Sequence, residues 1–248
     1  MEVALVAIAT LVGASLQSAT GFGFALVLGP AAFAVFEPVD AVFVLLASGA
    51  LLSFLVLFAE RRPREHRPAD LRLILAASVP GMVGGVFILA ALEREPLQVL
   101  VGLGVLFAVS LQARTAPQHS PQPTSHPATL RAGTGLITGL LTTTTSTNGP
   151  PLVLLFQRLG YRPAEQRDSL AAAFLFLDVV GAIIVVPFLI DGEGIAAATL
   201  ALIAASTVAG QELGRRIFVR LSPRAFRSAG LVLVTIAGVA SIVAGLVG

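Results

Sequence analysis

Thr142-Thr143-Thr144-Thr145-Ser146-Thr147-Asn148-Gly149-Pro150-Pro151 cuts into hydrophobic sequence with six hydroxyl residues, an amide and a helix-breaking Gly-Pro-Pro. That is too much polarity to face lipid, where every donor and acceptor must find a partner inside the protein. Something polar must therefore meet it. The first half of the chain carries a parallel stretch, Gln17-Ser18-Ala19-Thr20-Gly21-Phe22-Gly23, again in apolar surroundings and again dense in small and hydroxyl residues. The pair reads as two broken helices turned toward one site.

Composition sets the class around these stretches. Of 248 residues, 56% are hydrophobic and 12% charged, and the mean hydropathy is +0.90. One water-soluble core cannot hide that much apolar surface, so the chain is read as an integral membrane protein. All 16 basic residues are Arg and the net charge is only +2. The basic isoelectric point thus reflects missing Lys rather than a nucleic-acid surface, and arginines gathered in short loops act as topology signals. With no Cys there is no disulfide framework, thiolate nucleophile or Cys-based metal site. Met1-Glu2 leads directly into an apolar run without a basic n-region, which argues for a first membrane helix rather than a cleaved signal peptide.

The apolar runs predict helices over 3–18, 24–36, 41–59, 71–92 and 97–112, then over 132–147, 152–159, 169–190, 195–213 and 228–247. Between the two sets, residues 113–130 carry Pro117, Pro121, Pro123 and Pro127 among Ser, Thr, Gln and His, the composition of a mobile linker. Two local matches mark the sets as copies of one plan: Gly81-x-x-x-Gly85 answers Gly210-x-x-x-Gly214, and Glu37-Pro38 answers Arg162-Pro163. Positive loops belong to the cytoplasm. The arginines of 61–67, 158–167 and 215–227 are therefore expected inside, and the acidic turns 37–40 and 191–193 outside. Equivalent loops carry opposite signs in the two copies. The expectation is an all-α integral membrane protein of two inverted-topology repeats, 1–112 and 131–248, joined by the linker 113–130. Each repeat is a broken-helix hairpin plus three transmembrane helices, and both termini lie outside.

In the second hairpin Asn148-Gly149 breaks the helix, and Pro150 and Pro151 suit the first positions of a new one. A helix starting at mid-membrane points free N–H groups and the positive end of its dipole at the break, where an anion is favoured. Thr144, Thr145, Ser146, Thr147, Asn148, Gly149 and Pro150 form this half of the expected binding site; Gln17, Ser18, Thr20, Gly21 and Gly23 form the other, with Phe22 and Phe24 lining or gating it. Two alternatives stay open: Ser and Thr hydroxyls that only satisfy backbone carbonyls, and a Gly-x-Gly that only lets helices pack closely. Asp178 sits in the middle of 169–190, where an ionised carboxylate costs about 2.5–3.5 kcal/mol. It is read either as a proton-coupling residue or as a neutral hydrogen bond between helices. Glu212 lies beside Arg215 and Arg216, which favours an interfacial ion pair. His66, His119 and His126 fall in loops without ligand spacing, so neither a metal nor any other cofactor is expected, and no Ser-His-Asp set forms at membrane depth.

With the repeat and the run Asn148-Gly149-Pro150-Pro151-Leu152-Val153-Leu154 in view, the chain resembles the sulfite exporter TauE/SafE family of membrane transporters over nearly its whole length. The likeness rests on the small-residue break after the first helix of each half, the Gly-Pro-Pro-Leu-Val run, and the late Gly-x-x-x-Gly helix followed by Arg215-Arg216. The resemblance implies a secondary carrier or exporter of small sulfur-containing or organic anions, such as sulfite and sulfonates, in the bacterial inner membrane, with the helix breaks holding the substrate. Where many relatives carry a run of glycines, this chain has Gly21-Phe22-Gly23-Phe24. The competing readings are a passive anion channel with the same lining and a non-transporting membrane scaffold. Expected partners are a small anionic substrate and membrane lipid but no nucleic acid, with a homodimer left open.

Overall fold

The computed structural model describes residues 2–58, 68–114, 128–189, 195–218, 232, 235–236 and 238–246. The described residues fold into helices: α1 Glu2–Thr20, α2 Phe24–Val35, α3 Pro38–Phe58, α4 Pro68–Ala91, α5 Arg94–Arg114, α6 Ala128–Thr144, α7 Gly149–Arg158, α8 Pro163–Val185 and α9 Ala197–Phe218. A short 3-10 turn, Val186–Leu189, extends α8, and residues 238–246 form a further helical segment. Four helices are long and apolar enough to cross a membrane by length and composition: Glu2–Thr20, Pro38–Phe58, Asp70–Ala91 and Ala164–Leu189. Side chains such as Ile8, Phe87, Phe107 and Ile183 point outward, as a lipid-facing surface requires.

Several helices begin earlier than the onset of apolar sequence suggests. α3, α4 and α8 start at Pro38, Pro68 and Pro163 rather than at 41, 71 and 169, and each has an acid two residues on, at Asp40, Asp70 and Glu165. Proline lacks only an N–H that a first helical turn leaves free, and the acid complements the positive helix end. Helix α5 runs to Arg114 and α6 starts at Ala128, so 113–114 and 128–130 of the expected linker are helical. The arginines at 61–67, the linker prolines, all three histidines, the acidic turn at 191–193 and Arg220, Arg224 and Arg227 lie outside the described residues.

The second limbs of the two hairpins are short. At about 1.5 Å per residue, the 12 residues of α2 and the 10 of α7 reach only about half of a ~30 Å hydrocarbon core. Neither is long enough to cross it alone.

Close approaches between glycine and backbone fix which helices pair. Helix α4 lies along α6 in the same direction: Gly139 meets Ser78, Gly81 meets Leu136, and the Thr143 hydroxyl donates to Met82 O at 2.7 Å. Helix α9 lies along α1, also in the same direction. Gly210 meets Leu11, Gly214 meets Ser15, and Ser15 Oγ donates to Gly210 O at 3.0 Å. By contrast α3 and α8 run antiparallel, Gly49 facing Asp178 and Gly181 facing Leu46. So do α5 and the 238–246 segment, where Gly102 meets Ile242, Gly245 meets Glu95, and Ser241 Oγ donates to Gln98 O at 2.8 Å.

A methyl group on Gly139 would strike the backbone of Ser78, whereas one on Gly133 finds open space. Gly139→Ala is therefore expected to lower stability by about 1–3 kcal/mol, read as a drop in the thermal midpoint of the detergent-solubilised protein. Gly133→Ala should leave that midpoint in place.

Candidate functional site

Helix α1 ends where its own side chains close it. Thr20 Oγ1 lies 2.9 Å from Leu16 O and 2.7 Å from Phe22 O, and Gly21 N–H donates to Gln17 O at 2.7 Å. The chain then reverses through Gly21 and Gly23, whose φ angles of 88° and 111° are positive and favour glycine. Helix α2 starts at Phe24, whose N–H donates to Gln17 Oε1 at 3.3 Å. One of the four N–H groups that a helix start leaves free is thereby satisfied, and those of Ala25 and Leu26 remain to face the break.

The second break answers it. Helix α6 ends at Thr144 and α7 begins at Gly149. Ser146 between them has a φ of 55°, and among the described residues no other non-glycine has a positive φ. That conformation costs a non-glycine residue of order 1–3 kcal/mol and persists only where surrounding structure enforces it. Pro150 and Pro151 remove two N–H donors from the first turn of α7. This end therefore offers Gly149 N–H and the amide of Asn148. The latter donates to Thr142 Oγ1 at 3.2 Å and lines the same cavity as Asp178.

Both breaks open on one cavity of about 30 Å³. A single water needs roughly 10–15 Å³ on that scale, so the space suits a few waters or one small oxyanion. Its lining includes Gln17, Phe22, Gly23 and Phe24 from the first break, and Ser146 to Pro150 from the second. Between them stand Leu45 and Gly49 of α3 and Phe174 and Asp178 of α8. Gly49 belongs to the middle of α3, and Phe174 and Asp178 straddle the midpoint of the Ala164–Leu189 span. The breaks therefore meet halfway along the two central helices. Gly49 has no side chain because Asp178 occupies that space: a Cβ there would stand 2.6 Å from Asp178 Oδ2. Phe22 and Phe174 both stand within van der Waals reach of where a Gly149 side chain would begin.

A family model described as Sulfite exporter TauE/SafE matches residues 5–241. The chain belongs to the sulfite exporter TauE/SafE family. It is accordingly a multi-pass membrane protein of a transporter family, as the sequence resemblance implied. Neither the curated proteins nor the solved structures contain a match to it.

In this TauE/SafE chain Gln17, Gly23, Ser146, Thr147, Asn148, Gly149, Pro150 and Asp178 share the cavity. Ser18, Thr20, Gly21, Thr144 and Thr145 stand behind its lining. Thr20 closes α1, and Gly21 packs on Arg167. Thr144 Oγ1 donates to Leu140 O at 2.7 Å, and Thr145 Oγ1 lies 2.7 Å from Thr147 Oγ1. The Thr20 and Thr144 hydroxyls thus meet backbone carbonyls one helical turn back. Ser18 Oγ is buried and has no hydrogen-bond partner, while Ser18 O accepts from Arg167 at 2.9 Å. That guanidinium holds the negative end of the α1 dipole. Sequence reading placed Arg167 in a loop and passed over Leu45, Gly49 and Phe174, because their roles come from packing across elements. Glu212 pairs with Arg215 and Arg216 at 2.8 and 2.6 Å, as expected. Among the described residues no group of three His, Asp or Glu could hold a metal ion.

Proposed function

We propose that this protein is a secondary transporter of a small oxyanion such as sulfite or an organosulfonate, held where the two helix breaks meet. The observation that carries the proposal is the shared cavity: both polar interruptions line it, and it lies at the midpoint of α3 and α8. Two half-helices, α2 and α7, direct their positive ends into it. Neutral donors surround the space: the amides of Gln17 and Asn148 and the backbone N–H groups of Ala25, Leu26 and Gly149. Among the described residues no arginine belongs to the lining, so capture by them does not rest on a fixed cation and release stays easy. Membership of a sulfite exporter family supports sulfite or a chemically related anion, and export as the direction. The arginine-rich ends support an inner-membrane orientation with those ends in the cytoplasm.

Alternating access needs two halves that exchange roles, and the helix pairings support inverted repeats. A shift of 125 residues carries Gly21 onto Ser146 (146 − 21), both with positive φ. The same shift carries Phe24 onto Gly149 and Pro38 onto Pro163, the first residues of paired helices. It also carries Leu11 onto Leu136 and Ser15 onto Leu140. These are the contacts of Gly210 and Gly214 in one pairing and of Gly81 and Gly85 in the other. Helix α3, which this shift equates with α8, runs antiparallel to it, as inversion requires.

Purified protein in liposomes should move sulfite or methanesulfonate with saturating kinetics. Linear, non-saturating flux with conductance steps would select a passive channel instead, and absence of any anion flux would reject both.

A further inference from the structure

Asp178 poses a problem for an anion site. Its side chain lines the cavity, as Asn148 does, and is almost fully buried. The charges on the elements around it lie near helix ends: Asp40 on α3, Asp70 and Arg72 on α4, Arg131 on α6, Arg158 on α7, and Glu165, Arg167 and Asp168 on α8 itself. Glu2 begins α1, and α2 carries no charge. Asp168 and Arg167, nearest along α8, are about 15 Å away at ~1.5 Å per residue. None of these charged groups belongs to the lining.

An anion entering a cavity of about 30 Å³ comes within about 5 Å of the carboxyl group. At that separation two like charges in a protein interior weaken binding by a factor on the order of 100. The donors that face the space are neutral amides and N–H groups, which cannot cancel a second negative charge. A protonated carboxyl removes the repulsion and adds an O–H donor to the anion's shell.

We infer that anion and proton occupy this cavity together, so that the protein carries one proton on Asp178 with each anion. The inference rests on the anion-carrier reading above. Binding linkage is reciprocal: the proton must tighten the anion by the same factor by which the anion tightens the proton. Anion affinity then falls about tenfold per pH unit once Asp178 is ionised in the empty site.

Methanesulfonate is a suitable probe because a sulfonate carries no proton of its own near neutral pH. Proteoliposomes containing a pH-sensitive dye, with membrane potential clamped at zero, are given an inward methanesulfonate gradient. The expected result is proton entry at about one per anion. In Asp178→Asn that ratio should fall to zero in whatever flux remains, and Asp178→Glu should restore it. Should Asp178→Asn fail to fold, the ratio in the unaltered protein still decides. Anion flux without proton movement overturns the coupling while leaving the carrier reading intact. No flux of methanesulfonate or of sulfite removes the carrier reading and the coupling with it.

Discussion

Asn148→Leu is expected to reduce anion flux about 10- to 100-fold in liposomes while the protein still folds and elutes as the unaltered chain does. Leu branches at the same atom as Asn, so the break keeps its outline, but the amide that donates to Thr142 Oγ1 and has a second N–H for the cavity is gone. A hydrogen bond to a charged group contributes about 1.5–3 kcal/mol, and 1.4 kcal/mol is a factor of ten in affinity. Removing the one donor that remains for the anion accounts for a loss of about 10- to 100-fold. Prolines stand at the next two positions, so α7 has few other donors with which to compensate. Flux within twofold of the unaltered protein would remove Asn148 from the site.

The second large effect is expected from one methyl group. In Gly49→Ala the new Cβ would sit 2.6 Å from Asp178 Oδ2 and 3.2 Å from its Cγ. Helix α3 is buried along this face and cannot back away, so the carboxyl group must turn out of the cavity or α3 and α8 must part. A displacement of about 1 Å at a reacting centre can cost about 100-fold, and we expect flux to fall at least tenfold. Overpacking should cost a further 1–3 kcal/mol, roughly, in stability. Gly84→Ala is the control, because a methyl there meets nothing within 4 Å. If the two variants transport alike, Gly49 is not what seats Asp178.

Much of this was legible in the chain. Thr142 to Pro151 and Gln17 to Gly23 declare themselves because hydroxyls, amides and helix breakers are conspicuous in apolar sequence, and their density alone demands a polar counterpart. The match of Glu37-Pro38 with Arg162-Pro163 already contained the 125-residue offset that also equates Gly21 with Ser146. Which hydroxyls face the cavity was not legible. Thr144 and Thr147 look alike in sequence, yet one bonds Leu140 O one helical turn back and the other lines the cavity. The difference is set by where α6 stops, and helix ends are poorly defined by composition. Gly49 and Phe174 were invisible for another reason: each is an ordinary residue inside an apolar helix, and only the antiparallel register of α3 against α8 brings them to the breaks.

The central claim is that two interrupted helices, one from each half of the chain, surround the same anion. The absence of native cysteine makes single-cysteine labelling clean. Ala25→Cys from the first break and Thr147→Cys from the second both line the cavity. Each is to be treated with 2-sulfonatoethyl methanethiosulfonate, a thiol reagent that is itself a small sulfonate. The account predicts that both label and that sulfite or methanesulfonate slows both reactions with the same half-maximal concentration. Protection of one cysteine without the other, or of neither, would contradict it.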